Sequence, residues 1–238
     1  NWFFLTTDYA FGTAIQTDAT RFVEAAGGKV LGAVRMPLGN QDFASFLLQA
    51  QGSKAQVVAI AAGGRDLVNA IKQAGEFGLA EAGQQMSAVV VFIQDVHSLG
   101  AKTAQGLNLA ESFYWDLDDQ TRAWSRRFEA RVGKMPNTMH AGVYSATMHY
   151  LKAVAKAGID EPAKVAATMK QMPIEDFYTH GAKVREDGLA LRDLYLFRVK
   201  APKDSKSPWD LYERISTTEG EAAYWPLSES KCPTLKGR

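Results

Sequence analysis

The residues able to do chemistry in this chain gather at the ends of short apolar runs. Asp8-Tyr9-Ala10-Phe11-Gly12 follows the run Trp2–Thr6. Tyr9 offers a ring that can stack on a ligand and a hydroxyl that can hydrogen-bond to one. The structural alternative is that Tyr9 and Phe11 only seal a helix onto a sheet. Gly63-Gly64-Arg65-Asp66 follows the run Gln56–Ala62. Glycines let a ligand approach the backbone, and the amides of a helix N-terminus attract anions; a tight turn accounts for the same two glycines. Arg65 is expected in solvent or beside a carboxylate. Asp95 and His97 follow the run Ala88–Ile93. Asp95 either caps the turn that begins at Val96 or touches ligand, and His97 is expected to be structural.

Several chemistries find no support in the pattern. His140, His149 and His180 fall in different elements without metal-ligand spacing, and the single Cys232 supplies neither a cysteine zinc site nor an internal disulfide framework. No G-x-S-x-G, H-E-x-x-H or phosphate-loop motif occurs, and the three-glycine dinucleotide spacing is missing around Gly63. No catalytic residue, metal or cofactor is therefore expected. The balance of 27 basic against 26 acidic residues removes the basic field that draws nucleic acid or anionic membrane. The run Ala88–Ile93 falls far short of the roughly 20 apolar residues of a membrane span. A hydrophobic share of 46% over 238 residues is ample for a packed core of one large or two small domains.

The elements that would position these loops alternate in type. Trp2–Thr6, Val30–Val34, Gln56–Ala62, Ala88–Ile93 and Gly106–Leu109 read as strands. Helical spacing between them predicts helices over Tyr9–Ala26 (Phe11, Ala14, Ile15, Phe22 and Ala26 on one face), Phe43–Gln51 capped by Asp42, and Asp66–Phe77 with Leu67, Ile71 and Ala74 inward. Continuous apolar strands alternating with helices imply a parallel sheet covered on both faces, an α/β doubly wound plan. Ligands in such sheets bind outside the carboxyl ends of the strands, where the three loops above lie. Three helices without an intervening strand follow: Gln120–Val132, Thr138–Lys156 with the stripe Met139, Val143, Ala146, Tyr150 and Val154, and Glu161–Met172 capped by Asp160. The remainder is strand-like at Ala182–Arg185, Leu194–Val199 and Trp209–Ile215. The helical stretch lacks a sheet of its own, and the chain opens directly in an apolar run without an initiator Met, so an upstream segment is expected.

The ordered set of motifs resembles a family. D-Y-A-F-G, G-G-K-V, the helix D-F-A-S-F-L-L-Q-A, V-V-A-I, G-G and A-I-K-Q-A-G-E-F-G-L are similar to type I periplasmic solute-binding proteins of ATP-driven (ABC) importers, in the branched-chain amino acid and aromatic-carboxylate branch. The likeness runs on through Phe92–Gly100, Thr103–Leu107, Phe113–Asp116, Ala141–Ala146 and Pro226–Pro233. It implies two doubly wound lobes closing on a small molecule, with the chain crossing between them three times. Residues 1–112 would form most of the second lobe, 113–172 the helical part of the first, and 173–238 a return to the second lobe plus a tail. The first half of the first lobe would be supplied by the missing N-terminal segment of the same protein.

The resemblance also implies a site and partners. Tyr9 matches the family's aromatic residue after the first strand of the second lobe, Gly63 falls near the position held by an aromatic in leucine-type binders, and Asp95 aligns loosely with the acid that takes an amino group. The expected ligand-binding set is Tyr9, Phe11, Gly63, Gly64, Asp95 and Tyr114. The implied function is a non-catalytic periplasmic receptor that hands a small organic acid, an aromatic carboxylate or an amino acid, to the membrane permease subunits of an ABC importer. A ligand-sensing regulatory receptor on the same fold is the alternative, and a Rossmann-like enzyme a more distant one. In an oxidising compartment the odd Cys232 points to a disulfide partner in the upstream segment, the alternative being a lone thiol buried as a small apolar residue.

Overall fold

The computed structural model describes residues 1–235. From the N-terminus the chain runs β1 (Trp2–Thr7), α1 (Ala10–Ala25), β2 (Val30–Met36), α2 (Ala44–Gly52), β3 (Val57–Ala61), α3 (Gly64–Glu76), β4 (Gln85–Ala88), α4 (Ile93–Leu99), α5 (Ala101–Ala104) and β5 (Asn108–Glu111). It continues with α6 (Asp119–Val132), α7 (Thr138–Ala157), α8 (Pro162–Gln171), β6 (Ile174–Glu175), β7 (His180–Ala182), β8 (Leu194–Val199) and β9 (Tyr212–Thr218). The order in the main sheet is β2-β1-β3-β4-β5-β8-β9, while β6 and β7 form a separate antiparallel ribbon. β1 pairs in parallel with β2 and β3, in the register Thr6 opposite Ala61, and the parallel ladder continues through β4 to β5. Phe4, Leu5, Val58 and Ile60 are fully buried, as strands covered by helices on both faces require.

The chain divides into two compact units. Unit 1 comprises Asn1–Ala110 with Leu196–Ile215, and unit 2 comprises Glu111–Tyr195 with Ser216–Arg238. The chain passes from one to the other three times, within β5, β8 and β9. Of the stretch 173–238, only Leu196–Ile215 groups with unit 1.

In unit 1 the predicted strand Ala88–Ile93 moves upstream. β4 is Gln85–Ala88, and Ile93 already lies in α4. β4 is fixed by pairing Gln85 through Ala88 with Val57 through Ile60, so the ladder overrides the β-branched run that follows. The packed face of α1 also differs from the expected stripe: Gly12 and Val23 are buried, whereas Phe11 and Phe22 face outward. A side chain at Gly12 would begin 2.2 Å from the Thr7 carbonyl oxygen and 3.1 Å from that of Ala61. Glycine is what lets α1 start directly on the ends of β1 and β3.

In unit 2 the caps are legible. Asp118 accepts from the Thr121 N–H and Asn137 from those of Met139 and His140, while Gly133 and Gly158 end their helices in the left-handed conformation. The cap of α8 is Glu161, which accepts from the Ala163 and Lys164 N–H groups, rather than Asp160. The core is aromatic: Trp124 stacks on Phe177 with centroids 4.1 Å apart, and Phe113 meets Trp124, Phe177 and Tyr178 edge-on. α7 is turned about its axis relative to the expectation. Its buried residues are Ala141, Ser145, His149 and Ala153, and the His149 ring bonds the Met169 carbonyl of α8 at 3.0 Å. The predicted stripe faces out, with Val143 66% and Tyr150 44% exposed.

Candidate functional site

The carboxyl ends of β1 and β3 lie side by side because the two strands pair in parallel. β1 ends at Thr7, and Tyr9 is the N-cap of α1 in an extended conformation. Its N–H donates to the Thr7 carbonyl at 2.9 Å, its carbonyl accepts from Thr13, and the neighbouring Asp8 N–H is tied to Met36 of β2. The backbone is therefore held on both sides while the side chain stands free: Tyr9 is 37% and Phe11 41% exposed. Their rings form a tilted pair with centroids 5.7 Å apart.

The β3–α3 turn completes this surface. Gly63 is the extended N-cap of α3, and Gly64 has φ +61°, a left-handed value that favours glycine. A Cβ on Gly63 would sit 3.8 Å from a carbon of the Phe11 ring. The structure thus brings Tyr9, Phe11, Gly63 and Gly64 into one neighbourhood, where the aromatic pair overhangs a turn without side chains. Neither α1 nor α3 has a side-chain N-cap, in contrast to α6, α7 and α8. The first-turn amides of α1 and α3 therefore remain suited to an anion.

Two side chains tie the β2–α2 loop to α3, and the sequence gives little sign of either. Asp66, buried in the first turn of α3, accepts from the Gly39 N–H at 2.9 Å and latches the β2–α2 loop. Gln73 accepts from the Phe43 N–H at 2.8 Å and donates to the Gln41 carbonyl at 2.9 Å. An acid just after two glycines is a weak signal for such a latch, and Gln73 offers none because glutamine is neutral to helix position.

Asp95 and Tyr114 are placed differently. The Asp95 carboxylate accepts from the Phe92 N–H at 2.9 Å, reaching back to the N-cap residue of α4. Burial pushes its pKa up, and the Phe92 hydrogen bond only partly opposes this. Tyr114 belongs to unit 2 and is 5% exposed, its ring tilted against Trp115 at 5.8 Å. His97 stacks on Trp209 at 3.9 Å, joining α4 to the segment before β9. Among the described residues no group of three or more His, Cys, Asp or Glu side chains could hold a metal ion. Nor is any helix there long and apolar enough to cross a membrane. Cys232 is half-buried and forms no disulfide among the described residues.

A family model described as periplasmic binding protein matches residues 1–206. A crystal structure of a periplasmic binding protein from Burkholderia mallei is 48% identical, with a TM-score of 0.91 over 98% of this chain and 61% of that one. A branched-chain amino acid ABC transporter periplasmic ligand-binding protein from Burkholderia xenovorans LB400 is 43% identical, with a TM-score of 0.90 over 98% of this chain and 62% of that one. A solute-binding protein of an ABC transporter from Rhodopseudomonas palustris BisB5, in complex with 3,4-dihydroxybenzoic acid, shares the fold at 22% identity and a TM-score of 0.79, over 92% of this chain and 60% of that one. The chain thus spans about three fifths of the length of these solved structures. Comparison with curated protein sequences returns no match. With the parallel sheet, the three crossings and the match over residues 1–206, the chain belongs to the periplasmic binding protein family of type I fold.

Proposed function

We propose that this chain is the ligand-binding body of an extracytoplasmic solute receptor for a small organic acid, which it delivers to the membrane permease of an ABC importer. The observation that carries the ligand class is the exposed Tyr9–Phe11 pair above the Gly63-Gly64 turn, at the carboxyl ends of adjacent parallel strands. A flat apolar ring packs on such a pair, and a carboxylate is served by the uncapped amides of α1 and α3. This favours an aromatic carboxylate. An α-amino acid would also need an acid for its ammonium group, and the Asp95 carboxylate is engaged in its own helix turn. The membership of the 43% identical relative in a branched-chain amino acid transporter supports the importer role.

The reading is non-catalytic, in keeping with the family, and rests on an aromatic platform beside uncapped helix amides. It also gives the exposed face of α7 a role as the seat of further polypeptide, the N-terminal segment of a longer protein. Met139, Val143 and Tyr150 present an apolar face there.

Calorimetric titration of the chain with benzoate, 4-hydroxybenzoate and leucine tests the ligand class. Tyr9→Ala is expected to weaken binding of the aromatic acid by about 1–3 kcal/mol while changing stability less. Unchanged affinity in that variant, or leucine binding in preference to both acids, would overturn the reading.

A further inference from the structure

Unit 2 contains a cavity of about 280 Å³, lined in part by Ser112, Tyr178, Thr179, Leu191, Arg192 and Asp193. Its chemistry differs from that of the aromatic rim on unit 1. Arg192 lies over the Tyr178 ring, its guanidinium carbon 4.4 Å from the centroid. Nε donates to the Thr179 hydroxyl at 2.9 Å and Nη2 to that of the buried Ser145 at 3.2 Å. Two of the five guanidinium N–H donors are thereby spent, on neutral acceptors, and three remain. Among the described residues no carboxylate pairs with Arg192. The adjacent acid, Asp193, accepts from the Gly220 N–H at 2.9 Å.

The hydroxyls beside it form a closed group. Ser112 shares hydrogen bonds with Thr138 at 2.7 Å and with Tyr178, and Thr138 meets Tyr178 at 3.1 Å. Three hydroxyls bonded to one another can rotate so that one proton is redirected to an incoming acceptor at the cost of a single internal bond. A half-buried cation is expensive to leave without a counter-charge. Its planar fork suits a carboxylate, which accepts two parallel N–H bonds.

We infer that this cavity is a second, independent anion site, which takes a small carboxylate on the end-on fork of Arg192, with the Ser112 hydroxyl as a further donor. Tyr178 fixes the plane of the guanidinium, while Thr179 and Ser145 fix its rotation, so the fork is ordered before the ligand arrives. The carboxylate is either a free organic acid or the side chain of another polypeptide segment; the chemistry at the fork is the same.

The experiment follows the Arg192 Nε–Hε resonance of the ¹⁵N-labelled 238-residue chain during titration with sodium acetate, benzoate and, as a neutral isostere, benzyl alcohol. Saturable shifts with both acids and none with the alcohol are expected. Followed at the Ser112 amide, Arg192→Gln should abolish the acetate response, and Arg192→Lys, which keeps the charge without the fork, should weaken it about tenfold. Ser112→Ala should weaken it less. An occupant supplied by the protein is distinguished by competition: a longer polypeptide whose own carboxylate fills the fork shows a shifted Arg192 signal without added acid and no response to acetate. An Arg192 signal of the 238-residue chain that ignores acetate, or that shifts equally with benzyl alcohol, would overturn the inference. Tyr9 does not line this cavity, so an aromatic-acid affinity left unchanged by Tyr9→Ala, with the Arg192 signal still responding to acetate, refutes only the site on unit 1.

Discussion

Gly12→Ala tests whether the closeness of α1 to the strand ends builds the aromatic rim. A Cβ at this position would lie 2.2 Å from the Thr7 carbonyl oxygen, 0.8 Å inside the 3.0 Å that real Cβ contacts respect. The obstacle is backbone on β1 and β3, so no side-chain rotation relieves it, and the start of α1 must retreat by several tenths of an ångström. Overpacking of this kind costs about 1–3 kcal/mol, against which alanine returns at most about 1 kcal/mol of helix propensity. A net loss of roughly 1–2 kcal/mol corresponds to a fall in Tm of about 2–8 °C for a domain of this size. Gly75→Ala is the matched control. Its Cβ would meet only a Thr103 methyl, at 3.9 Å, in the last turn of α3, so a gain of about 0.4–1 kcal/mol is expected. Urea denaturation of both variants, with affinity for an aromatic acid measured alongside, separates the effects. Gly12→Ala should lower both stability and affinity, because Tyr9 and Phe11 move with the helix start. A Gly12→Ala chain as stable as the parent, with affinity intact, would refute the close-approach argument.

Other outcomes follow from unit 2. Trp124→Ala removes the ring stacked on Phe177 and should cost about 3–5 kcal/mol in urea denaturation; a loss below 1 kcal/mol would mean the aromatic cluster is not the core. The Arg185 guanidinium, 2.8 Å from Asp187, holds that carboxyl well below the usual range. A depressed carboxyl pKa contributes stability that is fully present above the unfolded value near 4 and is lost as pH falls below it. Thermal melts of the parent should therefore fall more steeply from pH 4 to 2 than those of Asp187→Asn, and parallel profiles would contradict the pairing. Val143→Glu on the exposed face of α7 should change stability by less than about 0.5 kcal/mol yet reduce concentration-dependent association in sedimentation velocity. Stability lost with no change in association would show that Val143 is packed.

Much of unit 1 was readable because its signals are local. Continuous apolar runs mark β1, β2 and β3, and Leu67, Ile71 and Ala74 all point inward; the Asp42 carboxylate does reach the Ala44 N–H at 2.9 Å, but from one residue before Phe43, which is the N-cap of α2. What misled was competition from partners distant in sequence. The Val89-Val90-Val91 run reads as a strand by composition, but pairing with β3 selects the more polar Gln85–Ala88. On α7 the larger apolar residues suggest the packed face, whereas contact with α8 favours small residues that let the helices approach, and His149 finds its partner only there. The rim residues Tyr9, Phe11, Gly63 and Gly64 were legible from their position after strands. Asp66, Gln73 and Arg192 were not, since the groups they bond lie 27 to 47 residues away or, for Thr179, across a turn.

Backbone amide shift mapping with 4-hydroxybenzoate on the ¹⁵N-labelled chain tests the ligand site most directly. Perturbations concentrated at Tyr9–Thr13 and Ala62–Asp66 are expected, the amides of the two uncapped helix starts shifting most. A saturable response centred at the opposite end of the sheet, around Gln85 and Asn108, or no response on unit 1 at all, would contradict it.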